Sequence, residues 1–67
     1  MTWEELKEEA KKLFLNEEIG ISFIIINETF WFDENGDFGI TNEDGSYKIV
    51  AHGRTPDQML AIMKALQ

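Results

Sequence analysis

Apolar residues recur at helical spacing in two stretches of this chain, one near each end, and follow a different rule between them. Trp3, Leu6, Ala10, Leu13 and Phe14 fall on one stripe, the pattern of a helix that buries a single face. Glu8 and Lys12 stand four apart in the favourable order on the opposite side. Thr2 precedes the stripe with Glu5 three residues on, the capping-box spacing in which two orphan backbone donors are satisfied reciprocally. Glu4 and Glu5 also meet the positive end of the helix dipole. The pattern predicts a helix that ends near Leu15, with Asn16 as a left-handed stop. At the other end, Met59, Ile62, Met63 and Leu66 form a second stripe. Thr55 is its predicted cap and Pro56 its first residue, where a missing N–H is no loss. Asp57 suits the dipole, and Gln58 completes a second capping box.

The intervening region is rich in Ile, Phe, Trp and Tyr and is punctuated by Gly and Asn, which predicts strands. Asn35-Gly36 is a hairpin signal, because both central residues of a type I′ turn need positive φ. It joins a strand around Thr29 to Asp33 with one around Phe38 to Asn42. Asp44-Gly45 has the same chemistry and leads to a strand from Ser46 to Ala51. An earlier strand, Ile21 to Ile26, turns at Asn27-Glu28 or runs on through a bulge. The expected class is α+β: an antiparallel meander of three to four strands with an N-terminal and a C-terminal helix on one face. It forms a single domain over residues 1–67.

Two-residue loops at both glycine turns would set Trp31 opposite Ile40, Phe32 opposite Gly39, Ile40 opposite Ile49 and Asn42 opposite Tyr47. Opposed residues share a face, so Trp31, Phe38, Ile40, Tyr47, Ile49 and Ala51 would make the floor for the helices. Phe30, Phe32, Thr41, Lys48 and Val50 would face away, joined by Phe23 and Ile25 if the Asn27-Glu28 turn is tight. Two helices about 10 Å wide cover one side of such a sheet and leave the other bare. Contiguous exposed apolar patches usually mark interaction surfaces. Phe23, Ile25, Phe30, Phe32 and Val50 are therefore the expected partner-binding residues, and a one-residue slip would exchange the faces.

Composition narrows the possibilities. With 67 residues and no cysteine, neither a disulfide nor a thiolate metal site can staple the fold. A domain of this size has a margin of only about 3–5 kcal/mol. The charge is −7, from thirteen carboxylates against six Lys and Arg. Such a surface repels phosphate backbones and anionic lipid, so no direct nucleic-acid or membrane partner is expected. MTWEELKEEA is charged from its fourth residue, so no signal peptide is expected here. The longest apolar run, around Phe23 to Ile26, falls far short of the ~20 residues of a membrane span. A cytoplasmic location is expected, and the acidity also permits mimicry of nucleic acid toward a basic host protein.

Candidate chemistry is sparse. Aligned on an EF-hand loop, Asp33, Asn35, Asp37 and Asp44 fall at positions one, three, five and twelve. Position six, which needs Gly, is Phe38, and the flanks read as strands rather than helices. The reading as an acidic hairpin tip is preferred, with weak calcium binding at Asp33–Asp44 as the alternative. His52 and Arg54 lie beside the start of the last helix, where free N–H groups can hold an anion, although Thr55 already caps that end. No nucleophile elbow or phosphate loop is present. No cofactor and no enzyme activity are expected.

The opening TWEELKEEAKKL, the FDENGDF hairpin and the short closing helix resemble a type of small acidic protein encoded in bacterial prophages. The resemblance implies a helix, a small antiparallel sheet and a closing helix, a bacterial or phage origin, and binding to a host protein. It carries no functional residues over. The expected function is a non-enzymatic protein-interaction module, or a homodimer, that uses the sheet face the helices leave uncovered.

Overall fold

The structure, a computed structural model, describes residues 1–67. Helix α1 spans Trp3–Leu13, and strands β1 (Glu18–Ile19), β2 (Phe23–Ile26), β3 (Phe30–Asp33), β4 (Phe38–Thr41) and β5 (Tyr47–Ala51) follow before helix α2 (Pro56–Leu66). The strands form one antiparallel meander in the order β1-β2-β3-β4-β5. The α+β layout is as expected, with five strands in place of three to four. The added β1 has two residues, too few to show any period in the sequence.

Both capping boxes are formed. Thr2 Oγ1 accepts from the Glu5 N–H at 3.1 Å while Glu5 Oε1 accepts from the Thr2 N–H at 2.9 Å. Thr55 and Gln58 repeat the exchange at 3.2 and 2.9 Å. The far end of α1 departs from expectation. It stops at Leu13, and Phe14 is extended, at φ −129°. Positive φ outside glycine occurs only at Asn27 and Glu28, so Asn16 is no left-handed stop. Burial explains the early end: leaving the helix turns Phe14 into the core, 4% exposed, and throws Leu15 out to 98%. The ion pairs on α1 join residues three apart, Glu4 with Lys7, Glu8 with Lys11 and Glu9 with Lys12, in place of Glu8 with Lys12.

The largest correction concerns register. At both glycine hairpins the loop is one residue longer than a two-residue turn. Gly36 N–H donates to Asp33 O at 3.1 Å and Gly45 N–H to Asn42 O at 3.0 Å; Asp33 N–H donates to Asp37 O at 3.1 Å and Asn42 N–H to Ser46 O at 2.8 Å. Only the glycines, at φ +92° and +85°, are left-handed in these loops. This is a type I turn closed by a glycine bulge, a common three-residue hairpin connection. Side chains favour it. Asp33 Oδ1 accepts from the N–H groups of Asn35 and Asp37, and Asp44 Oδ1 from the N–H and hydroxyl of Ser46. The type I′ conformation occurs instead at Asn27-Glu28, φ 50° and 62°, but the ladder beyond it pairs Ile26 with Phe30.

A one-residue shift exchanges faces. Phe32 pairs with Phe38, Trp31 with Gly39, Ile40 with Lys48 and Thr41 with Tyr47. The helix side therefore carries two cross-strand rows: Ile19, Ile24, Phe32, Phe38 and Ala51, then Ile26, Phe30, Ile40 and Lys48. Trp31, Tyr47 and Ile49, expected beneath the helices, lie on the opposite side. The buried core joins Leu6, Ala10 and Phe14 of the α1 region, Met59 and Met63 of α2, and Ile24, Ile26 and Phe32. Phe38 stacks on Phe32 at 4.9 Å and on Phe30 at 6.0 Å between ring centroids. Burying these side chains is the main stabilising term available to a chain without cross-links.

Candidate functional site on the open sheet face

The side of the sheet away from the helices is also apolar. Its central row reads Glu18, Ile25, Trp31, Gly39 and Ile49, with Phe23 beside Asp33 at one end and Thr41 beside Tyr47 at the other. Phe23, Ile49 and Tyr47 are 36, 47 and 75% exposed. Phe23, Ile25, Trp31, Asp33 and Tyr47 line an open groove of about 330 Å³.

Two glycines shape this surface. The Trp31 ring lies over Gly39, in the space a side chain there would fill, and Phe23 covers Gly20 in the same way. The Trp31 and Tyr47 rings meet at 6.1 Å and 77°, the T-shaped arrangement that aromatic quadrupoles favour. Trp31 Nε1 is covered and has no acceptor within the chain. The indole is held by contact alone.

Two carboxylates belong to this face. Glu18 lies in the central row and Asp33 in the groove wall, while Glu28, Glu43 and Asp44 occupy turns at one end of the sheet and Glu34 and Asp37 the loop at the other. None of the six Lys and Arg belongs to the open-face positions. Lys7, Lys11, Lys12 and Lys64 are on the helices, Lys48 is in a helix-side row, and Arg54 is in the β5–α2 loop.

Of the residues expected to bind a partner, Phe23 and Ile25 are on the open face. Phe30 and Phe32 are not. Phe32 is fully buried and Phe30 packs against the same core. Val50, 52% exposed, sits at the β-bulge where Phe38 and Gly39 face Ala51 and Ile49. Trp31, Tyr47 and Ile49, which the expected register puts beneath the helices, belong to this face as well. The signal that identifies them is the glycine inside the strand Phe38-Gly39-Ile40, since such a residue marks close approach by a neighbour.

The residues of the EF-hand alignment are distributed over two hairpins. Asp33 closes β3, Asn35 and Asp37 belong to the β3–β4 loop, and Asp44 lies beyond β4 at the opposite end of the sheet. Asp33 is engaged with its own loop. Asp37 Oδ1 lies 2.7 Å from His52 Nδ1, and the Arg54 N–H donates to Gly36 O at 2.8 Å. The His52–Arg54 segment thus clips the β5–α2 connection to the hairpin.

No family model, curated protein or solved structure matches this chain. No helix is long and apolar enough to cross a membrane.

Proposed function

We propose that this domain is a non-enzymatic interaction module that presents its open sheet face to another protein. The observation that supports this reading most strongly is the row Ile25–Trp31–Gly39–Ile49, flanked by Phe23 and Tyr47 and covered by neither helix. Aromatic residues set in an apolar patch dominate binding energies at protein interfaces. Exposed apolar area also costs solubility, so a patch of this kind is usually functional.

Size bears on the kind of partner. Five strands about 4.8 Å apart and roughly 14 Å long give a face of about 300 Å² in projection. A standard stable interface buries about 800 Å² of accessible surface on each partner, more than a face of this size presents even with the relief of its side chains. The face suits a short segment of another protein better than a second copy of this chain.

An apolar fluorescent dye should bind the folded protein at neutral pH, and Trp31→Ala should reduce the signal. Light scattering on the eluting peak should give a monomer. A folded monomer that binds no dye would contradict the reading.

A further inference from the structure

We infer that the groove between Phe23, Trp31 and Tyr47 receives a basic side chain, arginine or lysine, from an extended segment of a partner protein. The inference rests on the open face being the binding surface and specifies what that surface recognises. Three aromatic residues and a carboxylate line the groove, and aromatic faces attract cations through their quadrupoles, arginine most often. Both loop N–H groups bonded to Asp33 use Oδ1, which leaves Oδ2 for an incoming donor. A guanidinium or ammonium group hydrogen-bonded to a carboxylate forms the stronger, charge-assisted kind of contact.

Charge complementarity separates the possible occupants. No cation of this chain belongs to the open face, while Glu18 and Asp33 do. A second copy docked face to face would cover these carboxylates and bring no cation to neutralise them, and a charge buried unpaired is costly. An acidic segment would add like charge to them. A segment with one basic residue between apolar ones satisfies both the groove and the carboxylates of this face. The volume, about 330 Å³, is at the small end of the range for ligand pockets, about 300–1,000 Å³, and suits one side chain with its flanks.

The test is a titration followed by amide and indole NMR shifts with acetyl-Leu-Ser-Arg-Ser-Leu-amide and its counterparts carrying Met or Glu at the centre. Alternation in an extended peptide puts both Leu side chains and the central residue on one face. The arginine peptide should shift Trp31, Asp33 and Tyr47 saturably and bind at least about tenfold more tightly than the glutamate peptide. Asp33→Asn, which keeps the loop acceptor, should weaken the arginine peptide about fivefold. Tyr47→Ala, at an exposed position, should weaken it with the fold intact. Equal binding of the arginine and methionine peptides at the same residues would overturn the inference and keep the open face as a binding surface. A dimer formed through this face would do the same. Absence of shifts at Trp31, Asp33 and Tyr47 with all the peptides would overturn the inference, and the dye experiment then decides separately whether the face binds anything.

Discussion

Gly39 stands in the middle of a strand, where glycine ordinarily weakens pairing and offers nothing to pack. Its place is explained by the Trp31 ring, which occupies the position of its absent side chain. A methyl group there would meet the indole and also the Lys48 carbonyl. Because the second obstacle is backbone, removing the tryptophan would not fully relieve the clash. Gly39→Ala should therefore cost about 1–3 kcal/mol, as overpacking generally does, read as a lower urea midpoint. A loss under about 0.5 kcal/mol would contradict the packing of Trp31 on β4. The groove depends on the same arrangement. With its ring laid over Gly39, Trp31 meets Tyr47 in a T-shaped pair and lines the groove with it.

At the scale of elements, caps and loops use carboxylates whose charged form the folded chain prefers. Glu5 is held below its ordinary pKa first by the Thr2 N–H and then by the Thr2 hydroxyl. Asp44 is held below its own by the hydroxyl and then the N–H of Ser46. A carboxylate with a depressed folded-state pKa stabilises the fold above its unfolded pKa, and that contribution is lost as pH falls through the folded value. Both contributions should be complete at neutral pH and fade below roughly pH 4, near the ordinary carboxylate range. Melting temperatures recorded from pH 7 to 2 should fall less steeply for Glu5→Gln with Asp44→Asn than for the parent. Equal slopes would show that the two hydrogen-bonded carboxylates contribute nothing. The helices were legible because Thr2/Glu5 and Thr55/Gln58 state their beginnings in local chemistry that nothing distant overrides. Hairpin register was not, since Asn-Gly and Asp-Gly suit two loop lengths. The deciding residues lie outside those pairs. Asp33-Glu34-Asn35-Gly36 and Asn42-Glu43-Asp44-Gly45 share an Asx residue at the first position, a Glu at the second and a bulge glycine at the fourth. The matching loop geometry follows.

For the whole molecule, helices on one side of a sheet leave the other side to solvent, and that much followed from counting elements. Which aromatics lie on which side depended on one residue of register. Phe30, Trp31 and Phe32 are consecutive and all large and apolar, so alternation gave no preference, and the core chose Phe32. Phe32→Ala should cost about 3–5 kcal/mol, comparable to the whole margin of a domain this small, and leave the chain largely unfolded by circular dichroism at 25 °C. Tyr47→Ala, 75% exposed in the parent, should stay within about 0.5 kcal/mol of it. Comparable losses would mean the two faces are not distinguished by burial. The most direct test is a set of nuclear Overhauser contacts from the Trp31 ring. Cross-peaks to Gly39 and Tyr47, with Phe32 rather than Trp31 reaching the methyl groups of the helix-side core, are the predicted result. Contacts from the Trp31 ring to Met59 or Met63 would put the indole beneath the helices and contradict the open aromatic face.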